Sequence, residues 1–431
     1  MVPGDMRLGS LSLSLTIAVG CASASQRAQK PEAVNAARFH AGRPAMFYGS
    51  DPDRQCPHTP VLEAMRRKLL ENPPRKDEAA ADVDPRLCAV AEALLSWNKA
   101  DWPPRASVLH FLAWHFGMST PFLHASWLHV ESDDPGAIAG ALIRAGTGHT
   151  NVPGYRFGFA LDRSKNQPGV EILRVVRSMP FEVDPFPRQL ALNGEATLSG
   201  ELAWRRSSEE TRIISDVTME VCNSDGRFDS FSFPDGTSFR QRIRCSSHPG
   251  TMQIALYGEV QGRSWLSSFP VACGRELPTS VELPDRDVTA PGLPEQERHL
   301  FKLVNADRVS AGFAPLSWDE ELAKTARELS ARLSTHPFFL LGTHTSNDEW
   351  REERDWEDAR DARLKAQHVL AQVGGNAWSV EDAHESVLAD PERRCRLLGA
   401  APTRAGVGVV VGPERGQPNV FFTELLRAND K

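Results

Sequence analysis

Between Leu303 and Leu333 the apolar residues recur at helical spacing, twice, with a break between. Leu303, Val304, Ala306 and Val309 fall on one helix face. Gly312 and Pro315 interrupt the pattern as turn residues do. Asp319 is placed to cap a second helix, whose apolar stripe is Leu322, Ala323, Ala326, Leu329 and Leu333. Upstream, residues 46–150 carry the same period over Val61–Leu70, Leu87–Trp97, Ala106–Phe116 and Ala137–Arg144, so a mainly helical domain is predicted there. From residue 151 the period shortens to two. Tyr155–Leu161 alternates, Val170–Val176 is rich in β-branched residues, and short strand-like runs follow from Gln189 to Val271. Asn223–Gly226, Pro234–Gly236 and Pro249–Gly250 punctuate them as turns. Short strands so spaced predict an antiparallel β-sandwich over 151–280, and no catalytic constellation is visible in it. Residues 22–45 read as a tether and 281–291 as a proline-bearing linker.

Across the last third, several short motifs appear in a fixed order. They are Asn305, Arg308, Gly312, Pro315-Leu316, Trp318-Asp319, Leu322, Ala323 and Ala326, then Thr343-His344-Thr345-Ser346. Gly374-Gly375-Asn376 and Asp390-Pro391-Glu392-Arg393-Arg394 follow, and Gly406-Val407-Gly408-Val409 and Val420-Phe421-Phe422-Thr423 close the series. This order resembles the CAP superfamily, the secreted cysteine-rich, antigen-five and pathogenesis-related proteins. The resemblance implies an α-β-α sandwich over 292–431, and so a multidomain α+β chain. It also implies a cleft, onto which His344, Asn376, Asp390 and Arg393 map. In the family two histidines and two acids meet there. Here the glutamate position is Gly375, with no side chain, and the second histidine position is Arg393, which stays charged. Proton transfer needs a group that titrates near the working pH, and a His-based metal site needs neutral imidazoles. One surviving imidazole, His344, leaves a degenerate cleft with no metal or cofactor expected.

The amino end changes the picture of location. Met6-Arg7 precedes an apolar run from Leu8 to Gly20, followed by small residues, the shape of a secretory signal. The run is too short to span a membrane. Ala18-Val19-Gly20-Cys21 resembles a bacterial lipobox with Cys21 as the lipidated residue, while cleavage after Ala24 is the alternative. Lipidation would anchor the chain without a spanning helix, with the outer membrane favoured by Ala22. Without the anchor the chain would be periplasmic or secreted. In an exported chain cysteines pair. Of the six others, Cys56 and Cys88 are a plausible pair. Two of Cys222, Cys245 and Cys273 could pair, which would leave one of them and Cys395 over; spacing alone does not fix the connectivity. The length of 431 residues suits two to four domains, and 49 basic against 56 acidic side chains give no basic footprint for nucleic acid.

Four further groups of residues bear on chemistry. His110, His115, His124 and His129 lie among Trp114, Trp127 and apolar residues. Their spacing matches no ligand motif, which favours a structural role over metal. His384 falls on a predicted helix, displaced by about two and a half turns from the Arg393 motif, so it is set aside as a substitute for the lost histidine. Cys395 lies between two arginines with no base beside it, a core or exposed thiol rather than a nucleophile. The charged run 347–369 reads as a solvated helix, or as a partner helix with Trp350 and Trp356 as anchors. There is no G-x-S-x-G, P-loop or HExxH. The expectation is a non-enzymatic binding or surface role in the envelope, toward an unidentified envelope or lipid-like ligand. The alternative is an envelope hydrolase that uses His344 with an acid from outside the family pattern.

Overall fold

The computed structural model describes residues 38–428 apart from 50–53, 72–81, 98–101, 103, 121–122, 147–154, 164–168, 179–180, 203–213, 235–237, 261–262, 283–292, 336–357, 378 and 415–416. Its amino-terminal part contains β1 (Arg38–His40), β2 (Phe47–Tyr48), α1 (Thr59–Glu71), β3 (Asp82–Val83), α2 (Pro85–Leu95), α3 (Ala106–His115), β4 (Leu123–Val130), α4 (Pro135–Gly146), β5 (Tyr155–Asp162) and β6 (Val170–Ser178). One four-stranded sheet, in the order β3-β5-β6-β4, runs through it.

Within 46–150 four helices form near the expected spans, and one eight-residue strand, β4, is added that the helical expectation does not include. Leu123–Val130 is a strand paired along its whole length with β6, and β5 and β6 pair upstream rather than with the strands that follow. The strand Leu-His-Ala-Ser-Trp-Leu-His-Val lacks a strong β signature of its own, and pairing with β6 decides its state. Alternation along β6 builds two cores. Leu173 and Val175 join the cluster under α2 and α3, while Ile172 and Val176 join the one under α1 and α4. Gly158 lets α2 settle on β5, since a Cβ there would lie 2.1 Å from the Leu87–Cys88 backbone.

The middle part contains β7 (Phe181–Val183), β8 (Phe186–Pro187), β9 (Gln189–Leu190), β10 (Glu195–Leu202), β11 (Ile214–Cys222), β12 (Phe228–Phe233), β13 (Ser238–Arg244), β14 (Gly250–Val260), β15 (Arg263–Cys273) and β16 (Ser280–Glu282). A three-stranded sheet, β13-β10-β7, and a five-stranded one, β12-β11-β14-β15-β9, turn their apolar residues onto one shared core. Phe181, Leu198 and Phe239 come from the first sheet, and Met219, Ile254 and Phe269 from the second. Each such side chain stabilises the fold by about 1.5–3 kcal/mol on burial. Cys245–Cys273 closes this core.

The last part contains α5 (Leu293–Ser310), β17 (Ser317–Trp318), α6 (Glu320–Thr335), β18 (Val369–Ala377), α7 (Val380–Ala389), α8 (Pro391–Leu398), β19 (Arg404–Glu414) and β20 (Gln417–Arg427). Its sheet order is β17-β19-β20-β18. α6 covers one face, with Leu322, Ala326 and Leu329 against Leu425. α5 and α7 cover the other, with Leu300, Val304, Ala383 and Val387 against Val407, Phe422 and Leu426. Gly406 and Gly408 permit the close approach of α6, because a Cβ at either would lie 2.1 and 2.2 Å from its backbone. The three parts share one compact unit, Ala37–Lys431. Among the described residues no helix is long and apolar enough to cross a membrane.

Candidate functional site

The motif residues near α5 and α6 are mostly architectural. Asn305 grips the backbone of Leu316 with both ends of its amide. Arg308, 1% exposed, donates to the carbonyls of Ala314, Leu397, Gly399 and Pro402 and so ties α5 to the end of α8. Asp319 caps α6 through the amides of Glu321 and Leu322, and its second oxygen pairs with Arg427. These residues set the frame on which the candidate cleft depends.

The Asp390–Arg394 segment forms a sharp corner. Asp390 ends α7 and caps α8, accepting from the Arg393 amide at 2.9 Å, and Pro391 occupies the first turn. Arg393 reaches back to Asp390 with Nε 3.5 Å from Oδ2. This corner does not stand in an open cleft on its own: the outer face of the five-stranded sheet packs on it. Gln253 and Ser268 donate to the Ala389 carbonyl. Cys222 on β11 is bonded to Cys395 on α8. Tyr257 donates to Glu220 beside the corner. Burial and the Asp390 charge push the Glu220 carboxyl up, and burial with the Asp390 and Glu220 charges does the same to the tyrosine hydroxyl.

Behind the corner lies a second group of titratable side chains. His384 on α7, 4% exposed, sits with Nε2 2.5 Å from Asp307 Oδ2 on α5, and its Nδ1 has no partner among the described residues. Burial works against a charged imidazole there, yet Asp307 outweighs it and the net shift is upward. Glu424 on β20 is 1% exposed, with both oxygens unpartnered among the described residues. Burial pushes its carboxyl up to about 7, against the pull of His384. Burial also raises Glu385 and lowers Arg394. The upstream unit packs along one side of this group. Asp382 accepts from the Ala106 amide at the start of α3, and His110 lies 4.0 Å from Glu385. Burial brings His110 down to about 4, so it stays neutral at ordinary pH.

The Glu424 shift has a measurable consequence. The folded chain keeps this proton up to about pH 7, while the ordinary carboxyl releases it near 4.5. Folding takes up a proton between those values, so stability falls as pH rises through that window. Glu424→Gln, neutral and of the same shape, is expected to add about 3 kcal/mol at pH 8 and about 1 kcal/mol or less at pH 5. Urea unfolding at the two pH values checks this, and equal effects at both would refute it.

Of the residues mapped onto the cleft, His344 lies outside the described residues, as do Cys21, Trp350 and Trp356. Asp390 and Arg393 are brought together, as cap and capped residue. Asn376 lies on β18 opposite Phe421 in register, one position along from Gly375 opposite Phe422. A Cβ at Gly375 would make ordinary contact with the Phe422 ring at 3.4 Å. Packing therefore does not require glycine there; what the position lacks is a carboxylate. His384, set aside in the sequence, anchors the buried group instead. Sequence reasoning misses Asp307 and Glu424, although a signal for Glu424 is present: one carboxylate in an apolar strand, Val420–Leu426. Cys395, read as a free thiol, is a half-cystine.

Residues 301–425 match the family model of the cysteine-rich secretory protein family, CAP. This region is a CAP domain. The CAP domain thus fills the last part of the chain, from within α5 to within β20. Among solved structures the chain is similar to an outer surface protein from Borrelia burgdorferi, at 14% identity over 32% of this chain and 97% of that one, TM-score 0.24. It is also similar to a cysteine-rich secretory protein from Staphylococcus aureus subsp. aureus Mu50, at 14% identity over 63% and 83%, TM-score 0.21. An extracellular protein containing an SCP domain from Bacillus anthracis str. Ames gives 12% identity over 57% and 85%, TM-score 0.23. No curated protein matches the chain.

Proposed function

We propose that this is an exported CAP-domain protein, anchored by lipid at Cys21, that acts in the cell envelope by binding and not by catalysis. The observation that carries the reading is the Cys222–Cys395 disulfide. It fits an oxidising compartment, as do Cys56–Cys88 and Cys245–Cys273. It also fastens α8, where Arg393 replaces the family histidine, against the outer sheet face. A guanidinium held by Asp390 cannot take a proton from substrate. The group around His384 is flanked by α3 and α5, and His384 and Glu424 within it are buried. The two middle sheets read as a sandwich that supports the CAP domain and presents a second surface.

Two measurements test this. On fractionation the parent is expected in the membrane fraction and Cys21→Ser in the soluble one. Purified protein is expected to turn over neither envelope peptides nor esters, and His344→Ala to leave its retention on envelope fragments unchanged. Turnover by the parent that His344→Ala abolishes would overturn the reading in favour of the hydrolase alternative.

A further inference from the structure

The buried charges at the start of α2 do not balance. The side chains of Asp84, Arg86 and Arg177 are 2%, 6% and 0% exposed. Asp84 is the carboxylate of the three, and both of its oxygens are fully engaged. Oδ1 accepts from the Arg86 amide and Nε, and Oδ2 from Arg86 Nη2 and Arg177 Nη2. Arg86 turns its remaining nitrogen, Nη1, to the carbonyls of Gly49 and Gly117. Arg177 is left short, because its Nε and Nη1 are buried with no partner among the described residues. A third guanidinium, Arg156, stands directly opposite Arg177 in the β5–β6 register, so both project from one sheet face. Glu182 lies 2.6 Å from Arg156 and answers that charge. The interior group therefore sets two guanidiniums against one carboxylate, beside the positive amino end of α2. The excess is felt at Arg177, which burial draws down to about 9 while Arg86 and Arg156 work against the support of Asp84.

We propose that a small monovalent anion, chloride or one of like size and charge, binds beside Arg177 between the start of α2 and the β5–β6 face. A buried polar group without a protein partner calls for a water or an ion. Water would meet the two free N–H groups but leave the charge unmatched, and a buried charge is costly unless paired. One negative charge brings Asp84, Arg86 and Arg177 together to neutrality. Asp84 fixes the two arginines in place, and the anion supplies the second counter-charge that its filled oxygens cannot. A guanidinium with no exposed surface selects for size, so a bulky anion is excluded. The site belongs to the upstream sheet unit, and it stands whether or not the CAP domain acts in the envelope.

The test is urea unfolding of the full chain as sodium chloride replaces sodium gluconate at constant ionic strength, which holds general screening fixed. An ion that binds only the folded chain raises the ratio of folded to unfolded protein with its concentration. For the parent this ratio is expected to rise about tenfold between about 1 and 100 mM chloride. R177M removes the excess charge and leaves Asp84 paired with Arg86, so its ratio should not change with chloride. R242Q, at an arginine 75% exposed on the middle sheets, should respond as the parent does. Parent crystals grown in bromide give a reading that needs no variant, with an anomalous peak expected beside Arg177. The proposal is overturned if chloride and gluconate act alike on the parent, which would mean that water meets the free donors. It is overturned too if R177M keeps the chloride response, or if the bromide crystals show no peak at Arg177.

Discussion

Asp84→Ala is expected to destabilise the amino-terminal sheet unit by about 3–5 kcal/mol, the range for breaking a buried ion pair by removing one partner. Asp84 is 3% exposed and does several jobs at once. It caps α2 by accepting from the Arg86 amide, binds Arg86 through Nε and Nη2, and accepts from Arg177 on β6 at 2.6 Å. The Arg177 side chain is fully buried, and burial draws it down to about 9 against the support of Asp84. Alanine would leave two guanidiniums in the interior without their counter-charge, and α2 without its cap. Burial alone would raise the Asp84 carboxyl, but Arg177 and Arg86 outweigh it and hold it well below the usual range. The stability it brings is therefore present at neutral pH and is lost as pH falls below about 4. Urea unfolding of the parent and Asp84→Ala at pH 7 reads the difference. A loss under about 1 kcal/mol would mean that the charges are hydrated and not buried.

The cap at Asp84 illustrates what the sequence makes legible. Helix ends, turns and apolar periods are written locally, so α1–α3, the α5–turn–α6 unit and the short strands from 189 to 273 stand close to their expected spans. What the sequence does not carry is the choice between pairings that local pattern leaves equal. β4 is hidden because its state depends on β6, some forty residues on, and the same dependence conceals the upstream pairing of β5 and β6. The site shows the same division. Arg393 and Gly375 can be placed by motif order alone. Asp307, His384 and Glu424 come from three separate elements, and only the α-β-α layering brings them together. The partner of Cys395 stays open in the sequence because one disulfide joins strand β11 to helix α8 across 173 residues, a contact with no local trace.

That disulfide carries the second large effect. Replacing Cys222 and Cys395 together by serine is expected to lower stability by about 3–5 kcal/mol, since a bridge that closes a loop of this length removes much freedom from the unfolded chain. Both cysteines are buried, 0% and 6% exposed. Without the bridge, the CAP domain keeps the packing of α8 on β11, β12 and β14 and of α7 on α3, with Gln253 and Ser268 on the Ala389 carbonyl and Asp382 on the Ala106 amide. Local packing and hydrogen bonds of about 1 kcal/mol each leave no covalent tie. The double variant should therefore unfold in two thermal steps where the parent shows one. Proteolysis gives a direct reading, because residues 281–291 have the composition of an exposed linker. A cut there should leave the parent joined on a non-reducing gel and the variant in two pieces. If the cut parent also separates without reductant, the bridge is absent in solution, and the closed corner at Arg393 loses its fastening.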